Sequence, residues 1–170
     1  MLASDSPLVH QTTDDNPRTL LHTLCDFPGH RHNSREIARV LIEAGADVNA
    51  RALFPGKSEP GETPLHWSAS NDDVEMVEVL LDAGAEIDID GGIIANSTPL
   101  HEAIVFCCLN AAAKLVEQGA SSNLMVAAAL GRQDLAEQYF DAQGRVTPNA
   151  GALPCWSQPR EPRAALDSAF

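Results

Sequence analysis

The chain has 170 residues, enough for one compact domain or one short solenoid. Its 24 acids against 11 bases give a net charge of −13, which argues against a nucleic-acid backbone or an anionic membrane surface as the main partner. Apolar residues make up 44% of the chain but aromatics only 5%, a balance that suits closely stacked helices better than one thick core.

In chain order, residues 1–16 are polar and read as a flexible lead. Thr19-Leu20-Leu21-His22 opens a first helix. Phe27-Pro28-Gly29-His30-Arg31-His32-Asn33 follows as a loop, and Ser34 is placed to cap a second helix over Arg35–Glu43. The apolar face expected there is Ile37, Val40, Leu41 and Ile42. A long loop then runs from Asp47 to Glu62, with Leu53 and Phe54 at its tip. An apolar loop tip is either a contact site or a cap over the next loop.

Residues 63–84 carry the clearest local code. Thr63 is a good N-cap, and Pro64 takes the first helical position, where a missing N–H costs nothing. Asn71-Asp72 breaks this short helix, because small polar side chains tolerate turn conformations. A second helix presents Val74, Val77, Leu80 and Leu81 inward and Glu75, Glu78 and Asp82 to water. Gly84 ends it at a left-handed position. Two such helices bury too little alone, so the unit needs neighbours.

Those neighbours are in the sequence. Thr98-Pro99-Leu100-His101-Glu102-Ala103 repeats the opening 35 residues later, and Gly119-Ala120 matches Gly84-Ala85. Thr19 to Asn49 forms a looser upstream copy, and Leu124–Phe140 a downstream helix pair with Gly131-Arg132 at its break. This self-similarity, with its Thr-Pro-Leu-His signature, resembles the ankyrin repeat. The resemblance covers residues 17–141 and implies an all-α solenoid of helix-turn-helix pairs with β-hairpin-like fingers. The expected organisation is a lead over 1–16, repeats over 17–52, 61–96, 97–121 and 122–141, a Pro/Gly-rich connector over 142–163, and a further repeat or cap helix over 164–170. A truncated chain is favoured at that end.

Measured against the family, the first inter-helix loop is about five residues longer than its usual turn. The second finger, Glu86 to Asn96, alternates acids and isoleucines before Gly91-Gly92, which predicts a two-residue hairpin turn there with Asp88 and Asp90 on one exposed face. In the third repeat Cys107 takes a turn position where the family prefers glycine, Asn110 is the nearest cap candidate, and the finger is deleted. Trp67 stands where the family buries leucine. It reads as core, with a groove contact as the alternative.

Candidate chemistry is sparse. His22, His66 and His101 share one repeat position, which the resemblance assigns to ordering the turn through the neighbouring threonine and backbone groups. His30 and His32 lack a full ligand set for zinc, so no metal site is expected. Cys25, Cys107, Cys108 and Cys155 show no metal or disulfide spacing and read as reduced thiols. No nucleotide, dinucleotide or hydrolase fingerprint appears, so neither a cofactor nor catalysis is expected. No apolar run approaches ~18 residues and no signal peptide is visible, so the cytoplasm is the expected location.

Charge gives the sharpest functional hint. From Ser58 to Ala113 there is no Lys or Arg, against eleven acids from Glu59 to Glu102. The resemblance implies protein–protein recognition through fingers and inner helices. The expected contact residues are Phe27, Phe54, Glu62, Ser70, Asp88, Asp90, Val105 and Phe106, with acids steering a basic or amphipathic partner segment. A monomer is expected. The alternative is a structural or regulatory arm of a larger enzyme or effector.

Overall fold

A computed structural model of the chain describes residues 18–26, 31–52 and 61–151, together with Val9 and Thr12. Among these residues eight α-helices follow one another: α1 Leu20–Cys25, α2 Ser34–Glu43, α3 Pro64–Ser70, α4 Val74–Asp82, α5 Pro99–Val105, α6 Leu109–Glu117, α7 Leu124–Ala129 and α8 Gln133–Ala136. They pair in sequence, α1 with α2 through α7 with α8. The odd helices stack into an inner row and α2, α4 and α6 into an outer one. The architecture is the expected all-α solenoid, with no β-strand among the described residues.

The core runs through the stack as a continuous seam. Leu21, Leu65 and Leu100 occupy one repeat position and are wholly buried, as are Met76, Leu80 and Leu115 from the outer row. Alanines at 38, 69, 103, 111 and 112 let the helices approach closely. Arg35, Glu78 and Lys114 form a charge ladder across the outer helices, with contacts of 3.7 and 3.0 Å.

α2 departs from its expected face. Ala38 is its buried side, while Ile37 and Val40 are 43% and 46% exposed. The reason is position: α2 packs on α1 and α4, and no earlier repeat among the described residues covers its other flank.

The histidine row orders the turns as the resemblance implies. His22 Nδ1 accepts from the Thr19 N–H and His66 Nδ1 from that of Thr63, at 3.3 and 3.1 Å. Their Nε2–H groups then donate to the carbonyls of Glu62 and Ser97, one repeat on. His101 differs because the deleted finger puts Asn123 opposite it. Asn123 Oδ1 caps α7 through Val126 N–H, which turns the amide nitrogen to His101 Nε2 at 3.2 Å. That assigns the proton to Nδ1, which donates to Thr98 Oγ1 at 2.8 Å.

Among the described residues, each inter-helix turn carries one left-handed residue: Asn33, Asp72, Cys107 and Gly131. The turn of the second finger is displaced from its expected place. Ser97 N–H bonds the Ile94 carbonyl at 3.1 Å, and Ala95 and Asn96 both have positive φ, so the tight turn lies there and not at Gly91-Gly92. In the first finger, Ala52 N–H donates to the Glu62 carbonyl at 2.8 Å. A Cβ on Gly61 would lie 1.5 Å from the Ala52 carbonyl oxygen, so only glycine fits that approach.

The last pair is also shorter than its sequence suggests. α8 has four residues and gives way to a 3-10 turn, Glu137–Tyr139. Phe140 and Val146 then bridge antiparallel, and Tyr139 donates its hydroxyl to the Ser122 carbonyl at 2.8 Å.

Candidate partner-binding groove

The inner helices and the second finger enclose a groove of about 460 Å³. Its centre is Trp67, 7% exposed. The indole N–H donates to Glu62 Oε2 at 2.9 Å, and the His22 ring meets the indole edge-on at 5.1 Å. The Arg18 guanidinium lies over the indole, 4.7 Å from its centroid, and reaches Asp26 at 2.6 Å. A cation on an aromatic face beside a carboxylate is favourable on both counts.

Small polar residues hold the floor. Ser70 donates to the Trp67 carbonyl at 3.2 Å, and Asn71 donates to the Cys25 carbonyl at 2.8 Å, tying α3 to α1. The rim is apolar and open: Ile93 is 53% exposed and Phe106 47%. Val105 sits beside Phe106 at 42%, next to the groove lining.

Beneath Trp67 lies a pair of acids. Glu102 occupies Trp67's position one repeat later and is completely buried, and Glu62 is 8% exposed. Glu102 Oε1 accepts from the Ile94 N–H at 3.4 Å. A Cβ on Gly92 would come within 2.7 Å of that oxygen and of the Ser97 carbonyl oxygen, so the finger lies directly against the acid. Burial, then the neighbouring Glu62, push the Glu102 carboxyl up to about 8.

The structure thus brings Glu62, Ser70 and Phe106 together in one groove, with Val105 alongside. It does not bring Asp88 and Asp90 there: both are exposed with Ile89 buried between them, as expected, but each is engaged by a different repeat. Asp88 reaches forward to Ser121, accepting from its N–H at 2.9 Å and its hydroxyl at 2.6 Å. Asp90 reaches back to Arg51 at 2.9 Å and accepts from Asn96 at 3.2 Å, contacts that lower its pKa. Asp88 lies in a turn closed by the Ile89 N–H on the Glu86 carbonyl at 3.2 Å, so the alternation of an extended strand does not govern where the two acids point. Phe27, Phe54 and His30 lie outside the described residues.

Sequence reasoning missed Arg18, Asp26 and Ile93 in the groove lining, and Glu102 buried against the finger. A signal for Glu102 existed: it stands 35 residues after Trp67, the interval that separates Thr63 from Thr98.

Stacked antiparallel helix pairs with left-handed turns define a helical-repeat solenoid. Comparison with known proteins agrees: one ankyrin-repeat profile matches residues 18–53 and a three-copy ankyrin-repeat profile matches residues 51–126. The chain belongs to the ankyrin-repeat family. Similar proteins include the Arabidopsis thaliana E3 ubiquitin-protein ligase KEG, 34% identical over 56% of this chain and 5% of that protein. The human palmitoyltransferase ZDHHC17 is 38% identical over 53% of the chain and 13% of its own length. The putative ankyrin repeat protein FPV233 of fowlpox virus is 36% identical over 42% and 13%. The chain therefore spans only a small part of these curated relatives. Ankyrin repeats generally mediate protein–protein interaction.

Proposed function

We propose that this chain binds a partner protein in the Trp67 groove, and that the bound segment pairs a basic side chain with apolar neighbours. One observation carries the reading. A buried tryptophan and two acids, Glu62 and Asp26, are flanked by exposed Ile93 and Phe106, so apolar contact and negative charge meet in one concavity. Arg18 supports the reading, because it already places a guanidinium on the indole face. The acids contribute orientation and association rate, and the aromatic and aliphatic rim contributes most of the affinity. Asp88 and Asp90 serve mainly to hold the fingers in register.

Peptide display tests this directly. Wild type is expected to enrich segments with one Arg or Lys beside apolar residues, and Phe106→Asp/Ile93→Asp is expected to lose them. Both positions are exposed, so the fold tolerates the change. Enrichment of the same segments on both baits would move the site elsewhere.

A second reading is that the repeats are an arm of a larger protein. It is favoured by the small share of KEG and ZDHHC17 that the chain covers. An open reading frame continuing beyond Phe170 would support it, and a stop codon there would count against it.

A further inference from the structure

We propose that Glu62 and Glu102 share a single proton between the α3 and α5 repeats, and that this proton holds the second finger and Trp67 in place as the groove's walls. The geometry demands a proton. Two glutamates from successive repeats are buried, Glu62 8% and Glu102 0% exposed, and Glu62 is the neighbour that, after burial itself, raises the Glu102 carboxyl. If both were ionised, Glu102 Oε2 would be buried with no partner. A buried carboxylate in that state is strongly disfavoured. A proton on Glu102 turns the orphan oxygen into a donor towards Glu62. Glu62 in turn accepts from the Trp67 indole, and Glu102 accepts from the Ile94 N–H. The chain of contacts therefore runs from groove centre to finger turn through one shared hydrogen.

Among the described residues, no nearby cation offers an alternative. Arg18 is paired with Asp26 and the indole, and Arg51 with Asp90. Lys114 lies outside with Glu78 and Glu117. His66 is neutral and committed to Thr63 and the Ser97 carbonyl, and His101 to Thr98 and Asn123. Asp88 is bound to Ser121, the Cys108 thiol donates to the Ser70 carbonyl, and α7 carries no charge. The upward displacement of Glu102 to about 8 agrees with a proton retained at neutral pH.

The consequence for recognition rests on the groove reading. The proton holds the walls that a partner segment meets, so binding weakens as the pH rises through the Glu102 midpoint and the walls loosen. The pair itself is tested without a partner, so a failed peptide screen leaves it standing.

The experiment is a carbon-detected NMR titration of glutamate side chains in the full chain. One carboxyl is expected to titrate near pH 8, far above the others, and to vanish in Glu102→Gln. The Trp67 indole and Ile94 amide signals are expected to follow the same midpoint in wild type and to stay flat in the variant. If Glu102→Gln does not fold, Glu62→Gln serves instead, because removing the like charge lowers the high midpoint. Glutamates that all titrate in the ordinary range, or Trp67 and Ile94 signals that ignore the high midpoint, would overturn the proposal.

Discussion

The Asp72 carboxylate caps a helix in the next repeat. Its Oδ1 accepts from the Ala111 N–H at 2.8 Å, 39 residues away, and its Oδ2 from the Asn110 amide at 2.6 Å. The N-cap residue of α6 is Cys108, which makes no side-chain cap bond of its own. The cap is supplied across the repeat interface, so the turn after α3 holds α6 in register. Asp72→Ala keeps a Cβ on the same left-handed backbone, φ 56°, and deletes the carboxylate. It is expected to cost about 1 kcal/mol in urea unfolding, the usual worth of an N-cap. Asp72→Asn should lose less, since its amide oxygen still accepts. Equal stability of Asp72→Ala and wild type would show that the cap contributes nothing.

Cys107 takes the same turn position one repeat on, at φ 60°. A side chain there is strained by roughly 1–2 kcal/mol relative to the right-handed region. Part of that is returned as unfolded-state entropy when glycine replaces it, so Cys107→Gly is expected to stabilise by about 0.5–1 kcal/mol. Differential scanning calorimetry would register a raised Tm. A lowered Tm would mean that the thiol contributes packing that its exposure does not suggest.

Stability should fall on both sides of an intermediate pH, for separate reasons. Burial pushes His66 down to about 4, and His22 in the same direction, so the fold keeps both neutral. The unfolded chain takes up those protons first. Their contribution is therefore whole above the ordinary 6.5 and is lost as pH falls towards 4. Glu102 has the opposite sign: its folded pKa is raised, so its contribution is whole below the ordinary 4.5 and is lost as pH rises through about 8. The trends overlap between those ordinary values. Glu102→Gln should flatten the alkaline limb of a Tm–pH profile and leave the profile below pH 4.5 unchanged. An alkaline limb of undiminished slope in the variant would assign it to another group.

Gly92 tests how tightly the finger sits on the acid pair. An added Cβ meets Ser97 Oγ at 2.6 Å, and the Glu102 carboxyl and Ser97 carbonyl oxygens at 2.7 Å. One of these is backbone and cannot swing aside, so Gly92→Ala is expected to cost about 1–3 kcal/mol as overpacking. Trp67 fluorescence should change with it, because the displaced acid is the indole's neighbour through Glu62. Wild-type stability and emission would mean that the turn rides free of Glu102.

Repeat-level order was legible in the sequence because it is written locally. Thr63-Pro64 and Thr98-Pro99 start helices by their own chemistry, and Asp72 marks a turn by tolerating positive φ. What could not be read was which repeat a side chain turns to. Asp88 and Asp90 look alike in sequence, yet one binds Ser121 and the other Arg51. Asp72 reads as a turn residue, and its role as a cap depends on stacking. Glu102 reads as one more surface acid until Glu62 and Gly92 are stacked against it. The Ala95-Asn96 turn was hidden by Gly91-Gly92, a stronger turn signal placed where the chain stays extended enough to reach the previous finger.

The most direct test of the groove is NMR mapping of the site of a segment enriched by peptide display. The account predicts shifts concentrated at Trp67, Ser70, Ile93 and Phe106, with the outer helices silent. Shifts centred on Ile37, Val40 or the Arg35–Glu78–Lys114 ladder would place recognition on the convex face and contradict it.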